Sequence, residues 1–223
     1  EKQLDEWIRE LHINESIDGI LFSNKAIEKS ENELKSFFKE SYQVNPFRSV
    51  LSVDSIKARL KWSESWLKIV IAKLIENMTL IEKLGGFLLA GFEPSFSRQD
   101  RDELNAIEST LKKSGSEPIL VKELTAQLSL NPKRIGDLLY LLFERGKAVN
   151  LGNNFWVNRS NFDQVVSDMR KLFKLKNEMA VSDFKDLTGL SRKTAIPLLE
   201  YLDKKHYTIR SENVRLRGEA LNG

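Results

Sequence analysis

Cysteine is absent from the 223-residue chain, and histidine occurs only at His12 and His206. Without cysteine there are no disulfides, Cys-based zinc ribbons or thiol nucleophiles. The two histidines are too far apart in sequence to share a metal, so no metal site and no catalytic residue is expected. No apolar run approaches the ~20 residues that cross a bilayer, and the first residues, Glu1-Lys2-Gln3-Leu4-Asp5, form no signal-peptide core. A membrane partner is not expected, and a cytoplasmic location is. The motifs GxxxxGK[ST], GxGxxG after a strand, GxSxG and HExxH are all missing, which removes the common routes to nucleotide, acyl-transfer and metalloprotease chemistry. The chain is expected not to be an enzyme.

Charge is nearly balanced, with 35 Lys and Arg against 32 Asp and Glu. The excess of +3 lies wholly in residues 160–223, where twelve cations face nine anions, while residues 1–159 are neutral. A lysine-rich solvated surface would explain an excess this small, so its position on the fold has to decide.

That position follows from an internal repeat. Counting from Ser63, apolar residues stand at offsets 4, 7, 8, 11 and 12 (Leu67, Val70, Ile71, Leu74, Ile75). Asn131 starts the same series with Ile135, Leu138, Leu139, Leu142 and Phe143. Ser191 starts it again with Ala195, Leu198, Leu199 and Leu202, and Asp203 is the one departure. Such spacing is one apolar stripe on a helix, begun by a residue that can accept its first orphan amides. Before each helix come a long amphipathic helix (about Glu31–Tyr42, Arg101–Lys113, Phe162–Leu175), a short apolar stretch and a brief second helix. These brief helices fall near Val53–Leu60, Val121–Leu128 and Ser182–Thr188. Two strand-like runs follow each time: Thr79–Lys83 and Phe87–Ala90 around Gly85-Gly86, Ala148–Leu151 and Phe155–Asn158 around Gly152-Asn153-Asn154, Tyr207–Arg210 and Val214–Arg217 around Ser211-Glu212-Asn213. Gly and Asn suit the tight hairpins this requires.

The unit is a winged helix, a helix-turn-helix with a hairpin wing. The fold class is mainly α with small β-hairpin wings (α+β), in tandem winged-helix domains forming an elongated array without a shared core. The boundaries read 1–30 for a partial unit, 31–95, 96–159 and 160–218 for complete ones. In the partial unit a helix is expected at Leu4–Leu11 and a wing through Ser16–Asp18 and Ile20–Phe22, with its front half missing and a larger parent chain implied.

The outer face of the third helix is where such a domain meets nucleic acid. In the second unit it carries Glu64, Ser65, Trp66, Lys68, Ile69 and Lys73, and in the third Lys133, Arg134, Asp137, Tyr140, Glu144 and Arg145, both mixed in charge. In the last it carries Arg192, Lys193, Thr194, Tyr201, Lys204 and Lys205, and the wing adds Arg210, Arg215 and Arg217. Only there do helix and wing agree, as phosphate neutralisation requires. Ser191 reads as a helix cap. Pro197 inside the helix predicts a kink or a separate first turn. Phe37, Phe38 and Trp66 read as core or contact residues rather than base-stacking platforms.

The stretch from Leu190 to Asp203, with Pro197 inside it, followed by Thr208-Ile209-Arg210 and Arg215-Leu216-Arg217, closely resembles the end of the bacterial selenocysteine-specific elongation factors, the SelB family. Tyr42-Gln43-Val44-Asn45-Pro46-Phe47-Arg48 is similar to that family's junction between a helix and the next unit. The resemblance implies an RNA-binding arm for translation, whose last winged helix holds the mRNA stem-loop (SECIS) downstream of an in-frame UGA codon. Its partners would be that stem-loop and, through the parent protein, the ribosome and selenocysteinyl-tRNA; the arm itself would be a monomer. No cofactor is implied for these residues, since GTP and Mg2+ belong to the family's GTPase part. Carried over, the RNA-binding residues are Ser191, Arg192, Lys193, Tyr201, Lys204, Arg210, Arg215 and Arg217. Arg192 and Lys193 would meet phosphates or loop bases, and the three wing arginines the RNA backbone. A winged-helix DNA-binding regulator and a protein-interaction scaffold using the faces around Trp66 and Ile69 remain as alternatives.

Overall fold

A computed structural model describes residues 13–15, by their backbone alone, and 19–221. The expected helix Leu4–Leu11 and the segment Ser16–Asp18 lie outside the described residues. The chain divides into two compact units between Ser95 and Phe96, and each is built from the repeat.

In the first unit a hairpin pairs β1 (Ile13–Glu15) antiparallel with β2 (Leu21–Ser23). The long helix α1 (Asn24–Val44) follows, capped by the Ser23 hydroxyl on the Ala26 amide. Next come β3 (Leu51–Ser52), α2 (Val53–Leu60), α3 (Glu64–Glu76) and a wing of β4 (Leu80–Lys83) and β5 (Gly86–Leu89). The sheet order is β3-β5-β4, all antiparallel. Phe38, Ile56, Val70 and Leu74 are fully buried and lie in one cluster with Tyr42, Leu80 and Phe87. The Tyr42 hydroxyl donates to the Ser49 carbonyl and accepts from the Leu89 amide, joining the end of α1 to the wing.

The second unit holds two more copies. The first comprises α4 (Arg98–Lys113), β6 (Ile119–Leu120), α5 (Val121–Leu128), α6 (Pro132–Glu144), β7 (Ala148–Gly152) and β8 (Phe155–Asn158). The second comprises α7 (Arg159–Leu175), β9 (Glu178–Ala180), α8 (Val181–Thr188), α9 (Arg192–Lys204), β10 (Thr208–Ser211) and β11 (Val214–Arg217), closed by a 3-10 turn at Glu219–Leu221. Their sheets run β6-β8-β7 and β9-β11-β10. The described residues are thus mostly helical, nine helices with small antiparallel sheets, in tandem winged helices.

The repeat extends to backbone strain. Lys61, Ser129 and Gly189 all adopt left-handed conformations two residues before the start residues Ser63, Asn131 and Ser191. Met78, Gly146 and His206 do so fifteen residues after those starts. There the amides of Met78, Gly146 and His206 bond the carbonyls of Ile75, Phe143 and Asp203, and the following amides bond Leu74, Leu142 and Leu202, a Schellman-type stop. A non-glycine residue in this region carries strain, so finding the same left-handed stop in all three copies marks one conformation built three times.

Three expectations change. The first wing turns at Leu84-Gly85, whose φ values are both positive, and Gly86 belongs to β5, where a Cβ would meet the Leu51 carbonyl oxygen at 2.5 Å. The separate first turn that Pro197 allowed is not formed: the residue lies within the single helix α9, in which it withholds an amide from the Lys193 carbonyl. The last two copies also share a core: Val149, Leu151 and Val157 of the β7–β8 wing cluster with Phe162, Leu198 and Leu199 of the final copy. Asn161, at the start of α7, reinforces that joint, its amide donating to the Lys112 and Gly115 carbonyls at 2.9 and 2.8 Å. At ~60 residues a single copy buries too little surface to stand well alone, which gives the shared core its physical reason.

Candidate nucleic-acid interface

The first turn of each third helix decides what it can hold. In α3 it begins with Glu64, whose carboxylate meets both Lys68 and Lys57 at 3.3 Å. Hydrogen bonds and charge from those lysines hold its pKa below the usual value. In α6 the third position is Arg134, and its guanidinium is taken by α4. Its Nε donates to Glu103 at 2.6 Å and its Nη2 to Asp100. Burial pushes the Asp100 pKa up, but hydrogen bonds from Arg134 and Ser97 outweigh it and hold the carboxyl low. The start of α6 is therefore partly neutralised from within.

Helix α9 begins with Arg192 and Lys193 and has no acid in its first turn. Both are exposed, and no ion pair holds either among the described residues. Cations in a first turn oppose the helix macrodipole at a cost of ~0.3–1 kcal/mol each. Their place is unfavourable for the helix and favourable for an incoming polyanion.

Ser191 occupies the cap position with extended φ −68 and ψ 160, yet its hydroxyl makes no cap bond. It lies 3.1 Å from the Thr194 hydroxyl instead. Ser63 and Asn131 do cap their helices, accepting from the amides of Trp66 at 3.2 Å and Arg134 at 2.8 Å. The expectation that Ser191 is simply a cap is corrected, because Thr194 draws its hydroxyl aside. Ser191, Lys193 and Thr194 line one wall of a cavity of about 370 Å³, and Pro118, Glu123 and Phe155 of the preceding copy are on its other walls.

The structure does not bring the other candidates into one patch. Lys204 is exposed in the last turn of α9, roughly 18 Å along the axis from Arg192 at ~1.5 Å per residue. Tyr201 is half-buried, its ring edge-on to Phe162 at 5.6 Å. Burial raises its hydroxyl pKa, as does Tyr207, against a smaller opposing effect of Arg159. Tyr201, read as an RNA contact, thus packs one side of its ring against the core.

On the wing, Arg210 is exposed, and so is Arg217, whose Nη2 reaches the Leu221 carbonyl at 3.4 Å. Arg215 is different. Its side chain is only 5% exposed, and its guanidinium binds the Asp203 carboxylate through Nε and Nη2. Arg215, expected to meet the RNA backbone, has its charge compensated inside the fold by Asp203. Asp203 and Thr208 were missed by sequence reasoning, although the break in the apolar stripe at offset 12 was a visible signal.

Trp66 donates its indole N–H to the Ser30 hydroxyl at 3.1 Å and packs edge-on to Phe22. That spends part of the apolar face on which a protein scaffold would depend. No helix among the described residues is long and apolar enough to cross a membrane.

Fold and surface define a tandem winged-helix protein with a cationic last unit. Residues 171–217 match the family model described as the winged helix of elongation factor SelB. A curated relative, the selenocysteine-specific elongation factor of Desulfomicrobium baculatum, is 28% identical over 141 residues, 63% of this chain and 22% of the relative. The chain thus spans about a fifth of that protein's length. Among solved structures, the mRNA-binding domain of SelB from E. coli in complex with SECIS RNA is similar at 24% identity. It covers 56% of this chain and all of that one, with a TM-score of 0.47. A bacterial selenocysteine-specific elongation factor is similar at 23% identity, covering 92% of this chain and 32% of that one, with a TM-score of 0.49.

Proposed function

We propose that the last winged helix holds an mRNA stem-loop. In this reading the chain is the carboxy-terminal arm of a SelB-type elongation factor that directs selenocysteinyl-tRNA to in-frame UGA codons in the cytoplasm. The observation that carries it is the pair Arg192 and Lys193, two exposed cations with no ion-pair partner among the described residues at the start of α9, in the segment that matches the SelB winged helix. Arg210 and Arg217 on the wing and Lys204 at the other end of α9 add phosphate contacts. Ser191 stands beside Lys193 with a hydroxyl that can bond a base or a phosphate oxygen.

The ribosome and the tRNA are partners of the parent protein. GTP and Mg2+ do not fit these residues: the sequence has no phosphate-cradling loop, and no group of three acidic or histidine side chains that could hold a metal stands among the described residues. The arm binds RNA as a monomer.

The test is a salt titration of the chain against stem-loops that follow UGA codons, scrambled hairpins and duplex DNA. The reading expects one class of hairpin to bind most tightly, with a log–log salt slope of several counterions. Equal or tighter binding to duplex DNA would replace it with the DNA-binding regulator, and no nucleic-acid binding with the protein scaffold.

A further inference from the structure

One position in the repeat changes its chemistry between copies. Twelve residues after the start residue stand Ile75, Phe143 and Asp203. The second wing strand places Phe87 opposite Leu51, Trp156 opposite Ile119 and Arg215 opposite Met179, so these three are also equivalent. Leu80, Ala148 and Thr208 begin the first wing strand in the same register. Two copies use apolar residues at all three places, and Phe143 and Trp156 meet ring to edge at 6.3 Å. The last copy alone substitutes an acid, a base and a hydroxyl.

Stability does not explain the substitution, since a buried ion pair is often no better than the apolar residues it replaces. What it adds is direction. Asp203, in the last turn of α9, accepts from Arg215 Nε at 3.2 and 3.1 Å and from Nη2 at 3.0 Å, a forked geometry. The same carboxylate accepts from the Thr208 hydroxyl at 2.5 Å. One side chain of the recognition helix therefore grips both strands of the wing, β10 through Thr208 and β11 through Arg215. The cross-strand partners of the gripped residues are the exposed cations: Arg210 stands opposite Arg215, and Arg217 opposite Thr208. Directly opposed residues share a face of the ribbon.

We infer that Asp203, Thr208 and Arg215 are positioning residues for RNA binding, which hold Arg210 and Arg217 at a fixed place relative to Arg192 and Lys193. This rests on the reading that the last winged helix binds hairpin RNA. The cation that composition suggests as a contact acts through its neighbours, by locking the wing to the helix.

The experiment uses the full chain, a cognate stem-loop and two variants. Replacing Asp203→Ile together with Thr208→Leu and Arg215→Phe installs the residues of the first unit, Ile75, Leu80 and Phe87, and leaves no buried hydroxyl without its acceptor. It is expected to melt no lower than the parent and to bind the stem-loop about ten-fold more weakly, within the usual range of coupling between neighbours. In that background Arg210→Ala should cost less affinity than it does in the parent, because Arg210 is already out of place. Asp203→Asn separates positioning from contact by its sign. A positioning role predicts weaker binding, whereas a direct contact predicts tighter binding and a steeper salt slope from the released arginine. Parent-like affinity in the apolar variant, an equal cost of Arg210→Ala in both backgrounds, or tighter binding by Asp203→Asn would each overturn the inference and leave the RNA-binding reading standing. Failure of the parent to bind any stem-loop would remove that reading first.

Discussion

Neutralising the start of α9 should move stability and binding in opposite directions. Arg192 occupies the first helical position and Lys193 the second, and no acid offsets them in that turn. Removing one cation with Arg192→Ala relieves an unfavourable interaction with the macrodipole worth ~0.3–1 kcal/mol. The unit it belongs to runs from Phe96 to Gly223. With unfolding entropy of about 2.1 cal/mol/K per residue, that relief raises the melting temperature by roughly 1–4 °C. On the cognate stem-loop the same change should cost ~1–3 kcal/mol if Arg192 reads a loop base. If it meets only phosphate, the salt slope should fall by about one counterion. Thermal unfolding by circular dichroism at low ionic strength gives the first quantity, and filter binding over a salt series gives the second. Lys133→Ala, at the place in α6 that Lys193 holds in α9, is the control, expected to leave RNA affinity nearly unchanged. A variant that melts lower than the parent and binds as well would show that Arg192 serves the fold, refuting both halves of the reasoning.

Phe162→Ala should destabilise the second unit by about 3–5 kcal/mol, because its ring is 2% exposed and meets Tyr201 and Tyr207 edge-on; a urea midpoint close to the parent's would contradict that packing. Gly218→Ala should lower the melting temperature, since a Cβ there would stand 2.1 Å from the His206 carbonyl oxygen, a backbone atom that cannot swing away. An unchanged melting point would mean that the chain after β11 is free to shift. The Asp100 and Arg134 pair should show a defined pH dependence. Because Asp100 is held below its ordinary value of about 3.9, its contribution is present above that pH and is lost as pH falls through the folded value. The gap in stability between the parent and Arg134→Ala should therefore be constant above about pH 5 and shrink toward pH 3. A gap that widens on acidification would be the opposite sign.

What was legible in the sequence was whatever a period reports. The apolar offsets from Ser63, Asn131 and Ser191 located three helices, and the boundaries of Val53–Leu60 and Val121–Leu128 follow from the same alternation of apolar face and turn. Less legible were the features that depend on which neighbour a polar group finds. The apolar pattern points to Arg101 as the start of α4, whereas Ser97 and Asp100 form a reciprocal capping box that begins the helix at Arg98. Ser191 looks like Ser63 in the chain, but a hydroxyl three residues later draws it off the cap. Arg215 looks like Arg210 and Arg217, and strand alternation alone cannot separate it from Arg210, because the two face the same way. The difference lies in Asp203, beyond the end of an apolar stripe in which every other copy has a hydrophobe. A charged residue that breaks a repeated apolar pattern calls for a partner of opposite sign on the facing element, since burying it alone would be costly. At that helix end the wing supplies the partners, Thr208 on β10 and Arg215 on β11. The same departure that makes the last copy's stripe imperfect therefore identifies which of the wing's cations is internal and which two are left for a ligand.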